Sequence, residues 1–301
     1  MENDGDILCT AKWLNDNLDN VKVIDVHWQW EGSEFSKTRI PSARFFDMTL
    51  ISDQNSPYKY MLPPADYFAL QMNKMGIHNT DHLVIYDSIH GYPSCRVYWM
   101  FKTFGHHGKV TILNGGYDAW KAGSYTILSD PLDSPPESYE NNNKVSSHPY
   151  KATLRPENIV SYEDIVKNVE LFRSGENGTL MMDARKAESY NKGHIPYAVS
   201  ATWSTFTTEY QSDDNNNNNT FKGFADVDVL EERLRVLQVP LDKDKPVITS
   251  CQSGISGVFL YVVLHLVKTK RNGGMGQISL YDGSFGEYSK RSTDIAVISG
   301  S

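Results

Sequence analysis

A buried strand, a polar loop and the start of a helix follow one another in Pro246-Val-Ile-Thr-Ser-Cys251-Gln-Ser-Gly-Ile-Ser-Gly257. The apolar run at 246–250 is short enough for a strand, and the apolar stretch at 258–267 is long enough for a helix. Short apolar strands that alternate with helices are typical of a parallel sheet covered on both faces. Ligand sites in such sheets lie at the carboxyl ends of the strands, so the loop after Ser250 is a candidate site.

The same order of features occurs twice in the chain. The strand that contains Asp25 matches the strand that contains Asp183, and the run from His82 to Asp87 matches the run at 246–250. Matched features lie about 160 residues apart and keep their order, which indicates an internal repeat. The chain of 301 residues is also long enough for two domains. The sequence therefore predicts an α/β fold of two tandem domains, each a parallel sheet flanked by helices.

The predicted domain boundaries follow the composition. Residues 129–157 are rich in Pro, Ser and Asn and poor in apolar side chains, which is typical of an extended linker. We therefore expect a first domain over residues 1–128 and a second domain over residues 158–301. The Asp and Asn tract at 213–219 predicts a disordered loop insertion in the second domain.

Charge and cysteine content exclude several classes of protein. A net charge of −8 argues against a nucleic-acid binder held mainly by phosphate contacts. Cys9, Cys95 and Cys251 are far apart and form neither a disulfide framework nor a Cys-x-x-Cys metal motif. The acidic N-terminus and the short apolar runs indicate neither a secretory signal nor a membrane span. We expect a protein of the cytoplasm, or of the mitochondrion as well, that uses no metal and no cofactor.

Cys251 stands at the head of the loop, between a buried strand and the start of a helix. The backbone N–H groups of such a turn and the positive end of the helix would stabilise a thiolate. The small residues Ser253, Gly254 and Ser256 would let the backbone curl around the sulfur. These features favour a reactive thiol over a buried inert one. A phosphatase is not expected, because Gly257 stands where a phosphate-clamping arginine would be.

The corresponding loop of the first half begins with Asp87 in place of the cysteine. This loop is longer and contains Pro93, and the helix after it is expected from Arg96 onward, with Cys95 at its start. We therefore predict that the first domain is catalytically inactive and that Cys95 only packs in its core.

These motifs resemble those of the tandem rhodanese family, the thiosulfate and 3-mercaptopyruvate sulfurtransferases. The likeness covers nearly the whole chain and includes Arg39-Ile-Pro41, Asp183-Ala-Arg185, Gly193-His-Ile-Pro196, Ser250-Cys-Gln-Ser-Gly-Ile-Ser256 and Tyr281-Asp-Gly-Ser284. The resemblance implies two rhodanese-like domains. Within the family, the chain looks most like the fungal branch associated with thiolation of the tRNA wobble uridine.

The resemblance implies a transfer of sulfane sulfur. Cys251 would take sulfur from a small donor, 3-mercaptopyruvate or thiosulfate, or from a protein persulfide, and would pass it on to a thiol acceptor. The implied partners are a cysteine desulfurase and a sulfur-carrier activating enzyme, so that any link to tRNA would be indirect. The active-site loop would consist of Gln252, Ser253, Gly254, Ile255 and Ser256.

The chain departs from the mercaptopyruvate branch in the segment that binds the substrate carboxylate. The resemblance places Ser189 where that branch has one arginine, and the segment with its second arginine is missing. Arg185 is then the nearest cation, and it binds substrate or forms a buried ion pair with Asp183 or Glu188. The missing arginines favour a protein persulfide as the donor. They also leave open a second hypothesis, a sulfur-relay adaptor that acts mainly by protein binding.

Overall fold

The structure is a computed structural model, and it describes residues 7–89, 91–134, 149–211, 219–241 and 244–297. Most of the predicted linker, residues 135–148, and the Asp and Asn tract at 213–218 lie outside the described residues. The chain divides into two compact units. The first unit consists of Met1–Asn55, Leu62–Arg155 and Thr208–Gly223. The second consists of Ser56–Met61, Pro156–Thr207 and Phe224–Ser301. The boundaries at 1–128, 129–157 and 158–301 remain a prediction.

The first unit is built on a parallel sheet of five strands. These are β1 (Leu8–Cys9), β2 (Lys22–His27), β3 (Arg44–Asp47), β4 (Leu83–Tyr86) and β5 (Val110–Leu113). Its helices are α1 (Ala11–Asn17), α2 (Ala65–Lys74), α3 (Tyr92–Thr103) and α4 (Gly116–Ala122). The strands lie in the order β1-β5-β4-β2-β3. All four residues of β4 are buried, which explains why this central strand is an uninterrupted apolar run.

The second unit repeats this architecture. Its sheet contains β6 (Ile159–Val160), β7 (Leu180–Asp183), β8 (Val199–Ser200), β11 (Val247–Ser250) and β12 (Ile278–Tyr281). Its helices are α5 (Tyr162–Arg173), α6 (Ala187–Lys192), α7 (Val227–Val236), α8 (Gly257–Lys270) and α9 (Ser284–Arg291). The order β6-β12-β11-β7-β8 is that of the first sheet, strand for strand. The predicted α/β class and the predicted duplication are confirmed.

Helix α8 fixes the end of β11. Every side chain from Val258 to Leu264 is buried, because the helix packs on β11, β12 and α7. A Cβ at Gly257 would lie 3.0 Å from the carbonyl carbon of Ser250, so glycine lets the helix begin close against the strand. The loop at 251–256 is thereby held at the carboxyl edge of the sheet. Although α8 is strongly apolar, no helix in the described part of the chain is long and apolar enough to cross a membrane.

A third sheet, of two strands, is not predicted from the sequence. It consists of β9 (Thr207–Gln211) and β10 (Thr220–Phe224), which flank the Asp and Asn tract. Residues 208–223 belong to the first unit, where the ring of Phe221 lies against Gly115. A Cβ on that glycine would come within 2.2 Å of the ring. The contact of Phe221 with Gly115 joins residues that are distant in sequence, so local patterns do not reveal it.

Candidate active site

Cys251 directly follows β11 and heads the loop that leads to α8. Its side chain is buried, with 1% exposed, whereas Gln252 is exposed and Ser253 is half-buried. Gly254 has a φ of +72°, a conformation that glycine adopts without strain. The thiol is therefore covered in this structure.

A serine of the turn after β12 holds this loop. The hydroxyl oxygen of Ser284 accepts hydrogen bonds from the backbone N–H groups of Cys251 and Gly254, both at 3.1 Å. The same hydroxyl donates to the carbonyl oxygen of Tyr281 at 2.8 Å, and its oxygen lies 4.0 Å from the Cys251 sulfur. Ser284 is fully buried and has a φ of +53°, which is unfavourable for a residue other than glycine. The sequence analysis placed Ser284 in a family motif but assigned it no role.

The first residues of α9 add two backbone contacts to the loop. The N–H of Phe285 donates to the carbonyl oxygen of Cys251 at 3.0 Å, and the N–H of Gly286 donates to that of Gln252 at 2.9 Å. A Cβ at Gly286 would lie 2.6 Å from the Gln252 carbonyl oxygen, so this approach requires glycine. Together with Ser284, these bonds hold the Cys251 loop against the start of α9.

The amides of the loop differ from the predicted arrangement. The sequence analysis expected them to surround the sulfur, but those of Cys251 and Gly254 donate to the serine hydroxyl instead. The amides of Ser253, Ile255 and Ser256 donate to no other described residue. They are therefore available to a negatively charged sulfur or substrate group at the start of α8.

Arg185 is part of a buried ion pair. Its Nε lies 3.0 Å from both carboxylate oxygens of Asp183, and its Nη2 lies 2.7 Å from one of them. Nη2 also donates to the Gly193 carbonyl at 2.9 Å, and the guanidinium lies 4.1 Å from the centre of the Phe285 ring. The structure thus shows the ion pair that the sequence left open, whereas substrate binding by Arg185 stays a prediction. Ser189 is exposed on α6, and its role is also untested.

The first unit contains a counterpart of the Cys251 loop. Asp87 follows β4 as Cys251 follows β11. The carbonyl oxygen of Asp87 accepts a hydrogen bond from Tyr117 N–H at 2.9 Å, and that of Cys251 accepts the equivalent bond from Phe285 at 3.0 Å. The two residues therefore occupy the same place in the repeated fold.

The Asp87 carboxylate shows what a loop in this place can hold. One carboxylate oxygen accepts hydrogen bonds from the N–H groups of Ile89 and Gly91, at 2.7 and 3.0 Å. The other accepts bonds from both the N–H and the hydroxyl of Ser94. Asp87 is buried, so these four bonds take the place of water around its charge. The loop of the first unit is thus a site for one negative charge, supplied by its own side chain.

The helix after Asp87 begins earlier than predicted. Helix α3 starts at Tyr92, whereas the sequence analysis placed its start at Arg96 and left Pro93 in the loop. Proline is tolerated in the first turn of a helix because its missing N–H has no partner there. Cys95 lies in this helix and is fully buried in the core.

The ion pair of Arg185 has a titratable counterpart in the first unit. His27 Nε2 lies 2.9 Å from an oxygen of Asp25, and both side chains are buried. Burial alone would lower the pKa of His27, but the hydrogen bond and the charge of Asp25, with the charge of Asp87, raise the pKa above its ordinary value. Within the described residues, no three His, Cys, Asp or Glu side chains gather as metal ligands.

Comparison with known proteins decides the family. The Rhodanese-like domain matches residues 10–123 and again residues 170–291. The chain belongs to the rhodanese family. It is 30% identical to 3-mercaptopyruvate sulfurtransferase of Rattus norvegicus, over 97% of this chain and 95% of the relative. It is 27% identical to thiosulfate sulfurtransferase of Gallus gallus, over 95% and 94%. Among solved structures it is similar to the Tum1 protein of Saccharomyces cerevisiae, with a TM-score of 0.76 and 24% identity, over 98% of this chain and 99% of that one.

These matches confirm the resemblance drawn from the motifs. The tandem rhodanese-like domains of the family account for the two parallel sheets. The relatives that span nearly the whole chain are sulfurtransferases of the thiosulfate and 3-mercaptopyruvate type, and this rhodanese is an enzyme of that type. The likeness to Tum1 supports the fold.

Proposed function

We propose that this rhodanese transfers sulfane sulfur through a persulfide on Cys251. The observation that supports the proposal is the place of Cys251 in the repeat. In the first unit the same place holds a buried carboxylate on backbone amides and a hydroxyl. A loop built on the same plan suits a thiolate or a persulfide, because both carry one negative charge.

The reaction proceeds in two displacements. The Cys251 thiolate attacks the sulfane sulfur of the donor, an S–S bond forms, and the donor's bond to that sulfur breaks with its electron pair on the leaving group. An acceptor thiolate then attacks the outer sulfur, and the S–S bond breaks to regenerate the Cys251 thiolate. No external oxidant or reductant is consumed. The free amides of Ser253, Ile255 and Ser256 are the groups available to stabilise the charge in each state.

The charges around the loop bear on the choice of donor. Residues 251–256 contain no Lys or Arg, and the guanidinium of Arg185 is occupied by Asp183. An anionic donor such as thiosulfate or 3-mercaptopyruvate therefore finds no side-chain cation on the loop itself. This favours a protein persulfide, for instance that of a cysteine desulfurase, in addition to the small donors. The proposed acceptor is a thiol of a sulfur-carrier activating enzyme that feeds tRNA wobble-uridine 2-thiolation, in the cytoplasm.

Intact-mass analysis tests the assignment of the nucleophile. The protein is mixed in turn with 3-mercaptopyruvate, thiosulfate and a persulfidated cysteine desulfurase, and the intact chain is examined for a gain of one sulfur atom. We expect this gain in the wild type and in the control Cys9→Ser, whose cysteine lies on β1 of the first unit. We expect none in Cys251→Ser. Full transfer by Cys251→Ser would refute the role of this thiol.

The burial of Cys251 favours one second candidate, a sulfur-relay adaptor that acts mainly by binding other proteins. Only 1% of this residue is exposed, so a small donor has no direct path to the sulfur in this structure. The same experiment separates the two functions. Rapid loading by thiosulfate or 3-mercaptopyruvate excludes the adaptor, whereas stable binding of the desulfurase without any sulfur on Cys251 supports it.

A further inference from the structure

We propose that Arg185 positions the Cys251 loop through the ring of Phe285 and does not bind the sulfur donor. The inference rests on the proposed role of Cys251 as the nucleophile and assigns a function to a cation that the sequence left between two alternatives.

Arg185 is connected to the loop from two sides. On one side, its partner Asp183 ends β7 and lies in register with Ser250, the residue before the nucleophile. On the other side, its guanidinium lies 4.1 Å from the centre of the Phe285 ring, and the N–H of Phe285 donates to the carbonyl oxygen of Cys251. Arg185 is therefore connected both to the strand that precedes the loop and to the turn that supports the loop.

The hydrogen bonds of the guanidinium argue against a role in binding the donor. Its Nε and Nη2 are occupied by Asp183, and Nη2 also donates to the carbonyl of Gly193. Nη1 has no hydrogen-bond partner among the described residues, but a bidentate pair with a donor anion would also need Nε or Nη2. Arg185 would then have to leave Asp183, and a buried carboxylate would lose its partner, which is strongly unfavourable. The planar group also stacks on an aromatic ring while it makes these bonds. Lysine cannot reproduce this combination, because it is a point charge without a planar face.

The first unit lacks this connection. Its equivalent contact joins Asp25 to His27, which carries a charge only when protonated, and its equivalent ring is that of Tyr117. Lys121 lies over the Tyr117 ring at 4.9 Å, and among the described residues His27 stacks on Phe45 and has no ring contact with Tyr117. The contact between the charged pair and the ring beside the loop is thus present in the second unit, which contains Cys251.

The test compares Arg185→Lys and Phe285→Leu with the wild type. Alkylation of Cys251 by iodoacetamide, an uncharged reagent, is followed on its own peptide across pH, and kcat and KM are measured with thiosulfate. We expect the alkylation midpoint to move to higher pH in both variants, because the loop no longer keeps its free amides in a position to stabilise a thiolate. We also expect kcat to fall roughly tenfold at an unchanged KM, since a misplaced nucleophile weakens the chemical step.

Opposite results would overturn the proposal. If Arg185 binds the donor, Arg185→Lys raises KM for thiosulfate and leaves the alkylation midpoint unchanged, and Phe285→Leu behaves as the wild type. The control His27→Gln removes the equivalent side chain of the first unit and should change neither quantity. Phe285→Leu keeps the ion pair with Asp183 intact, so it remains a test if Arg185→Lys does not fold. The alkylation midpoint requires no sulfur transfer, so failure of the proposed function is seen separately, as a wild type that takes up no sulfur.

Discussion

Replacing Ser284 by alanine removes one hydroxyl that three backbone groups share. The N–H groups of Cys251 and Gly254 each lose the hydrogen bond to this hydroxyl, and the carbonyl of Tyr281 loses the hydrogen bond from it. Ser284 is fully buried, so water does not readily replace these bonds. Each buried polar group that loses a hydrogen bond costs roughly 1–3 kcal/mol. Partial relaxation of the loop reduces the sum of these costs, so we expect the free energy of unfolding to fall by about 3 kcal/mol.

Urea unfolding followed by circular dichroism measures this loss. Ser284→Gly is the matched control, because it loses the same hydrogen bonds but removes the strain of the positive φ. The equivalent residue of the first unit is a glycine, Gly116, with a φ of +55°. We expect this variant to be more stable than Ser284→Ala by about 1 kcal/mol. A Ser284→Ala protein within about 0.5 kcal/mol of the wild type would refute the idea that this hydroxyl holds the loop.

Three further predictions concern other parts of the repeat. Cys251→Asp should stay folded, with a melting temperature near that of the wild type, because the loop can bind its carboxylate as the first unit binds that of Asp87. The variant should take up no sulfur in intact-mass analysis. Loss of the folded state would contradict this prediction. His27 has a raised pKa, so the stability it contributes is full below pH 6.5 and is lost as the pH rises through the higher folded value; unfolding measured across pH should show this fall, and His27→Gln should flatten it. Gly257→Ala places a Cβ 3.0 Å from the carbonyl carbon at the end of β11. It should lower the free energy of unfolding, measured by urea titration, by about 1–3 kcal/mol. An unchanged free energy would show that α8 shifts without cost.

Sequence patterns located the core of both units closely. The predicted runs at 83–86 and 246–250 coincide with β4 and β11, and all four residues of each strand are buried, although Thr249 and Ser250 are polar. The sequence does not predict the start of α3, because proline is common in loops and Pro93 stands in the first turn of this helix, a position that accepts proline. The strands β9 and β10 were missed because their residues alternate only weakly and pack in the first unit.

The candidate site was predicted only in part. The sequence predicts Cys251 as the nucleophile because its position at a strand end before a helix is a local feature, and this role stays a prediction. The hydroxyl that holds its loop belongs to Ser284, and the bond joins residues 33 positions apart. No local pattern signals which of two neighbouring carboxylates pairs with Arg185, and the structure selects Asp183.

The alternation of strands and helices, the duplication and the position of the candidate nucleophile are therefore properties of the sequence itself. The spacing of apolar residues predicts them, and each segment of the chain can be interpreted without the others. Which hydroxyl accepts the loop amides, which carboxylate pairs with the arginine and how far the thiol is covered depend on side chains from separate elements that meet only when the chain packs. Tertiary structure decided these, because a hydrogen bond or an ion pair forms between atoms that are close in space and leaves no period in the sequence.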